Sequence, residues 1–212
     1  MINSHQEKLT ERLELALEDV GYDSHWKVLD LGCADLRPYS EFLIKSFHDY
    51  VGIDADLESI DRALAKVNAD QQVHIVKGAS ENLELESETF DLVVCNNMLA
   101  YTDKKKSLSE ISRVLKKGGY CISLANNTIE YSIYKMAHPV KFRPVECLHS
   151  LVVIFNTWIY RISKVRFFRT TYHTIAEVKG LLKEINVKVK ILICDKSISP
   201  YSTIGFVFQK DK

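Results

Sequence analysis

The sequence VLDLGCA at residues 28–34 is a run of apolar strand residues that leads directly into a turn of small residues. A turn in this position is where an open α/β sheet lets a ligand meet backbone amides at the carboxyl edge of the sheet. Gly32 could also belong to an ordinary strand–helix turn. The stretch therefore indicates a ligand site only in combination with a second feature.

The second feature is a carboxylate at the end of the next predicted strand, YVGID at residues 50–54. Asp54 follows the turn by about 20 residues, a spacing at which an acid accepts both hydroxyls of an adenosine ribose. Asp54 could instead cap the helix that begins near Leu57. Because the turn and the acid occur in register, we favour a nucleotide-containing ligand.

Predicted strands and helices alternate along most of the chain, which is typical of βα units that form a parallel sheet. A helix over 6–20 precedes the first strand, and a Lys-Lys-Gly-Gly sequence at 116–119 is expected to end the helix before the fifth strand. The short connection after 187–194 permits an antiparallel hairpin with 203–209. The predicted elements of the central part are strands 26–31, 50–54, 73–77, 91–96 and 120–125 and helices 38–48, 57–68 and 104–116, and a helix over 174–186 precedes the hairpin. We therefore predict an α/β fold with a doubly wound, seven-stranded, mostly parallel sheet and an antiparallel last strand.

Composition argues against several function classes. Lys and Arg together number 28, as do Asp and Glu, so no global field favours bulk nucleic-acid binding. The five cysteines form no C-x-x-C pair, and we expect core thiols in a reducing cytoplasm and no metal site. The N-terminus lacks the order of a secretory signal, and the longest apolar stretch, 151–160, is too short to cross a bilayer. We therefore expect a soluble cytoplasmic protein without a transmembrane segment.

Two further stretches of the sequence are FDLVVCNNMLAY at 90–101 and SEISRVLKKGG at 109–119. They resemble class I, Rossmann-like S-adenosylmethionine-dependent methyltransferases of the type 11 kind. The resemblance covers about residues 26–125, with a weaker match over 172–209. It implies S-adenosylmethionine as the cofactor and methyl transfer to a small-molecule acceptor through an O, N or C atom. A single methyltransferase domain over 1–212 is expected, with its parts at 1–25 (N-terminal helix), 26–125 (cofactor-binding core), 126–170 (lid insertion) and 171–212 (C-terminal helix and hairpin).

The resemblance also implies which residues contact the cofactor. Asp30 and Gly32 would face its methionine half, with Ala34 in the turn, and Asp54 would hold the ribose. Asn96 would present polar groups to the amino-acid end. The adenine would lie against a group of residues from the next two strand ends, namely Ala55, Ser80 and Glu81.

The sequence departs from the family pattern at three places. Ala34 stands where a second glycine is usual, and Leu36 or Arg37 stands where the third would be. If position 34 needs a positive φ, alanine costs about 1 kcal/mol. Ala79 stands where many members have an adenine-binding Asp. A catalytically silent, cofactor-binding or scaffold member is therefore an alternative, whereas an NAD-dependent oxidoreductase is disfavoured because G-x-G-x-x-G is absent.

The segment 126–170 is predicted to be a helical lid insertion that contains a helix over 145–164. Its aromatic residues Phe155 and Trp158, together with Tyr101 at the mouth of the fourth strand, are candidate substrate contacts. Tyr101 and His138 are candidate general bases, and His149 and His173 are further candidates. For each of the three histidines we favour the alternative of a surface or core residue. Alternatives for the insertion are a homodimer contact, apolar-substrate recognition and interfacial membrane contact.

Overall fold

The described part of the chain is built around one seven-stranded sheet. A computed structural model describes residues 3–67, 72–124, 129–137, 144–163, 165, 167, 170–172, 174–185, 187–194 and 204–211. The helices are α1 (Asn3–Val20), α2 (Pro38–Ser46), α3 (Leu57–Leu64), α4 (Lys104–Val114), α5 (Ile129–Ala137), α6 (Pro144–Ser163) and α7 (Ile175–Glu184). The strands are β1 (Lys27–Leu31), β2 (Asp49–Asp54), β3 (Val73–Lys77), β4 (Phe90–Cys95), β5 (Leu115–Ser123), β6 (Val187–Cys194) and β7 (Ile204–Lys210).

The strand order is β3-β2-β1-β4-β5-β7-β6. Neighbours among the first five strands are parallel, whereas β7 runs antiparallel to both β5 and β6. This confirms the predicted doubly wound sheet and its antiparallel last strand. The chain builds outward from β1 through β2 to β3 and then returns to place β4 on the other side of β1. The carboxyl ends of β1 and β4 therefore flank the topological switch point, where open α/β sheets bind ligands.

Apolar side chains cover both faces of the sheet. One layer combines strand residues with residues of α1, α2 and α3, and the other combines strand residues with residues of α4 and α7. Successive residues of β1 alternate between the layers, because side chains along a strand point to opposite faces. Val28 lies in the α1–α2 layer, and Leu29 and Leu31 lie in the α4–α7 layer.

The expected end of the fourth predicted helix at 116–119 is wrong. Helix α4 ends at Val114 and β5 begins at once with Leu115, so the Lys-Lys-Gly-Gly sequence is part of the strand. The pairing shifts register between Phe90↔Leu115 and Leu92↔Tyr120. Gly118 has a φ of +81° within this irregularity, a conformation that glycine adopts without steric cost. Residues 116–119 have the composition of a helix end, but pairing with β4 makes them part of a strand.

The described residues of the insertion after β5 form two helices where the sequence predicted one. Helix α6 matches the predicted helix over 145–164, and α5 precedes it. Val153 of α6 packs with Ala100 and Tyr172, and the Thr171 N–H donates to the Ala100 carbonyl at 2.7 Å. These contacts join the insertion to the short 3₁₀ helix Met98–Ala100 that follows β4. The insertion therefore stands beside the switch point, and its closure as a lid stays a prediction.

Candidate functional site

A cleft of about 820 Å³ lies at the carboxyl ends of β1, β2, β3 and β4. Each of these strands contributes the residues that follow it in the chain. The structure brings together six of the eight predicted cofactor-binding residues along this cleft: Gly32, Asp54, Ala55, Ser80, Glu81 and Asn96. Asp30 and Ala34 are not among the lining residues, so the structure does not confirm these two predicted positions.

The loop after β1 is tied to the end of β2. The Gly32 and Cys33 N–H groups both donate to the Ile53 carbonyl, at 2.7 and 3.1 Å. Gly32 has a φ of +83°, and a Cβ added to it would meet nothing within 4 Å. The backbone conformation, and not lack of space, is therefore what requires glycine here. The open side of Gly32 leaves its backbone accessible from the cleft.

Ala34 adopts the left-handed conformation that the family pattern assigns to a glycine, with a φ of +49°. This conformation costs an L-residue about 1 kcal/mol. It aims the Ala34 N–H at Asp54, whose Oδ2 accepts a hydrogen bond of 2.9 Å. Ala34 therefore acts on the ligand site indirectly, by holding the acid at the end of β2.

Asp54 is oriented by two backbone donors. Its Oδ2 accepts from Ala34, and its Oδ1 accepts from the Asp56 N–H at 2.9 Å. A carboxylate offers about four acceptor sites, so both oxygens can accept a further hydrogen bond each. The acid is thus held in one orientation at the cleft, with acceptor capacity for a pair of hydroxyls.

Asn96, directly after β4, presents an acceptor that the described residues leave unused. Its Oδ1 is buried and has no hydrogen-bond partner among the described residues. A buried amide oxygen without a donor is unfavourable, and a ligand that brings N–H groups would satisfy it. Asn97, which the sequence reasoning missed, also lines the cleft, with a φ of +54°. Asparagine tolerates this conformation better than most residues, and that tolerance is the only sequence signal for it.

The loop after β3 is fastened to the beginning of α4 by side-chain hydrogen bonds. The Ser80 and Ser107 hydroxyls lie 2.9 Å apart, and Ser80 Oγ donates to Glu81 Oε2 at 3.2 Å. Glu81 Oε1 accepts from the Asp103 N–H at 3.0 Å. Ser80 and Glu81 thus hold this wall in place while lining the cleft. Ala79 also lines it, so this position offers an apolar surface where many family members have an acid.

Asp30 does not line the cleft and contacts Tyr50 in the layer that includes α2. It is fully buried, and the Tyr50 hydroxyl donates to its Oδ2 at 2.7 Å. Burial is the main cause that raises the pKa of this carboxyl to about 6, against the opposing effect of neighbouring hydroxyl groups. The structure thus does not place Asp30 among the residues that line the cleft, which corrects its predicted contact with the cofactor.

The predicted substrate residues separate into two groups. Tyr101 lines the cleft and is half exposed. Phe155 and Trp158 are exposed on α6 and are not among the residues that line the cleft, and the structure does not bring them to Tyr101. Among the described residues of the insertion, Phe167 lines the cleft, and no sequence signal distinguished it from its aromatic neighbours.

No candidate histidine is among the described residues that line the cleft. His149 lies exposed on α6 and does not line the cleft. His138 and His173 lie outside the described residues. Within the described ranges, no group of three or more His, Cys, Asp or Glu residues could hold a metal ion.

Comparison with known proteins adds a match to one family model and a fold. Residues 29–123 match the family model described as a methyltransferase domain. An uncharacterized protein of Haemophilus influenzae is 29% identical over 110 residues, which cover 49% of this chain and 43% of that protein. The chain spans about half the length of the curated relatives it matches.

Two solved structures are similar over nearly the whole chain. The PH0226 protein of Pyrococcus horikoshii has a TM-score of 0.72 at 18% identity, covering 99% of this chain and 92% of that one. An S-adenosylmethionine-dependent methyltransferase of Clostridium acetobutylicum has a TM-score of 0.72 at 16% identity, covering 97% and 92%. Residues 29–123 are therefore similar to a methyltransferase domain, and the chain has the fold of the class I S-adenosylmethionine-dependent methyltransferases.

Proposed function

We propose that the chain transfers a methyl group from S-adenosylmethionine to a small-molecule acceptor. The methyltransferase domain and its fold support S-adenosylmethionine as the cofactor. The observation that carries the proposal is the pair formed by Gly32 and Asp54, which line one cleft from adjacent strand ends. The cleft has the size of small-molecule sites, which are typically about 300–1,000 Å³.

The residues of the cleft fit the groups of this cofactor. Asp54 holds two oxygens ready for the two ribose hydroxyls, with each oxygen already oriented by a backbone N–H. The unsatisfied Oδ1 of Asn96 fits the ammonium of the amino-acid end, which carries the donors that this atom lacks. Ala55 and Ala79 provide apolar surface for the adenine.

When bound, the cofactor supplies a methyl group that its sulfonium already activates. The chain must then hold the acceptor in line and keep water away from it. Tyr101, which follows β4, and Phe167, which belongs to the insertion, both line the cleft and are suited to contact the acceptor. An O or N acceptor that loses a proton on methylation can pass it to solvent, either directly or through the Tyr101 hydroxyl, which releases its own proton to solvent as it accepts one.

Calorimetric titration with S-adenosylhomocysteine tests the cofactor site. Asp54→Ala should weaken binding by at least tenfold, because charge-assisted hydrogen bonds contribute about 1.5–3 kcal/mol each. Asp49→Ala is the matched control, since Asp49 begins the same strand at the opposite end and forms a surface ion pair with Lys27. Equal losses in both variants, or binding of NAD in place of the adenosyl ligand, would reject the proposed site.

Turnover is tested with methyl-labelled S-adenosylmethionine and small-molecule extracts separated by chromatography. Label that moves into a small molecule in the presence of the protein, and not in the presence of Asp54→Ala, supports the proposed reaction. Tight cofactor binding without label transfer to any fraction would favour the catalytically silent alternative. Label that appears only in macromolecules would refute a small-molecule acceptor.

A further inference from the structure

Helix α6 exposes several of its apolar side chains. Five of them follow the three- and four-residue spacing of one helix face and are 53–68% exposed. We call this surface the apolar face of α6, and it consists of Leu148, Leu151, Phe155, Trp158 and Ile162. Phe155 and Trp158 stack with ring centroids 6.3 Å apart. A contiguous apolar surface of this kind is typical of an interaction site.

The outward direction of this face is set by polar contacts on the other side of the helix. Asn156 and Thr157 are buried. Asn156 Nδ2 donates to the Thr170 carbonyl at 2.8 Å, and its Oδ1 accepts from the Phe167 N–H at 3.0 Å. Thr157 Oγ1 accepts from the Tyr172 N–H at 3.0 Å. A rotation that buried the apolar face would break these hydrogen bonds, so its exposure is part of the fold.

The segment that carries this helix is strongly basic, although the whole chain is neutral. Residues 126–170 contain seven Lys or Arg and two Asp or Glu, a net charge of +5. The remaining chain therefore carries a net charge of −5. The basic residues cluster in sequence on both sides of α6 and at its end: Lys135, Lys141, Arg143, Arg161, Lys164, Arg166 and Arg169.

We propose that the apolar face of α6 docks on an anionic lipid bilayer surface, with the helix lying in the plane of the interface. An apolar face with aromatic residues and flanking cations is the pattern that binds such surfaces. Within the part of the chain that the structure describes, no helix meets the length and hydropathy needed to span a bilayer. A twenty-residue helix in the plane offers a contact about 30 Å long.

Charge decides between a bilayer and a second copy of the chain. A two-fold dimer through this face would place two segments of +5 against each other, because such an interface pairs the same surface on both copies. Binding to an anionic surface instead becomes more favourable with every cation near that surface. The apolar and the electrostatic contributions then act together, which the dimer does not allow.

Co-sedimentation with phosphatidylcholine vesicles, with and without phosphatidylglycerol, tests this proposal. The protein should bind the anionic vesicles and shift Trp158 fluorescence to the blue. Leu151→Ser combined with Phe155→Ser should reduce binding at least tenfold, because both side chains are exposed and belong to the docking face. The control combines Leu15→Ser with Leu64→Ser, which removes two comparably exposed leucines from α1 and α3 and should leave binding unchanged.

A charge variant tests the second contribution. Lys141→Gln combined with Arg143→Gln should reduce binding to anionic vesicles about 25-fold, since one basic residue near such a surface contributes about fivefold. Thermal melts of each variant, compared with the native protein, separate a loss of binding from a loss of folding. Equal binding to neutral vesicles, or no vesicle binding at all, would overturn the proposal. So would a stable dimer in sedimentation velocity that Leu151→Ser with Phe155→Ser dissociates, because that result assigns the face to a second copy.

Discussion

Replacement of Asp30 by asparagine should change the pH dependence of stability in a defined direction. Asp30 is fully buried, and its pKa is raised from 3.8 to about 6 in the folded protein. The folded state therefore holds this proton more tightly than the unfolded chain does. The stabilisation from this group is present below pH 3.8 and is lost as the pH rises through about 6.

The size of the effect follows from the shift. About two pKa units correspond to roughly 3 kcal/mol, at about 1.4 kcal/mol for each unit. The side-chain amide that Asp30→Asn introduces does not ionise, and it keeps an oxygen for the Tyr50 hydroxyl, which donates at 2.7 Å. Asp30→Asn should thus gain about 2.5 kcal/mol relative to the native chain between pH 4 and pH 8, because part of the change already lies below pH 4.

Urea unfolding of both proteins at pH 4 and pH 8 measures this difference. At each pH, the free energy of unfolding of the native protein is subtracted from that of the variant, so that the contributions of the other carboxylates cancel. Tyr50→Phe is the opposing variant, because loss of the hydroxyl removes a donor to the charged form and should steepen the decline toward pH 8. A free-energy difference between Asp30→Asn and the native protein that is equal at both pH values would refute the reasoning.

Three further predictions concern the cleft. Gly32→Ala should destabilise the fold by about 1 kcal/mol in thermal unfolding, because Gly32 has a φ of +83°. Ala34→Gly should be nearly neutral, because the relief of backbone strain in the folded state offsets the greater conformational freedom of glycine in the unfolded chain. A loss with Ala34→Gly as large as with Gly32→Ala would contradict this. Glu81→Ala should weaken binding of S-adenosylhomocysteine in calorimetry roughly tenfold, because it removes the hydrogen bond that ties the loop after β3 to the Asp103 N–H. Glu84→Ala, on the exposed part of that loop, is the control and should leave this binding unchanged. Tyr101→Phe should lower methyl transfer and leave cofactor affinity unchanged, and an equal loss in both measurements would show that Tyr101 supports the cofactor site.

Local patterns in the sequence were enough to predict the sheet and the positions of its first ligand-binding residues. Apolar runs mark β1 and β2, and parallel strands bring their carboxyl ends to one edge. Gly32 and Asp54 could therefore be placed together from the sequence alone. The short connection between the last two strands likewise predicted their antiparallel pairing, which the register of β6 and β7 confirms.

Other features depend on contacts between residues far apart in the chain, and only the tertiary structure decided them. The position of β7 between β5 and β6, the bond from Ala34 to Asp54 and the place of Phe167 in the cleft are of this kind. The periodicity of α6 identified an apolar face, and the usual expectation is that such a face packs inward. The buried hydrogen bonds of Asn156 and Thr157 turn it outward instead, because buried polar groups must be satisfied and their partners come from residues 167–172.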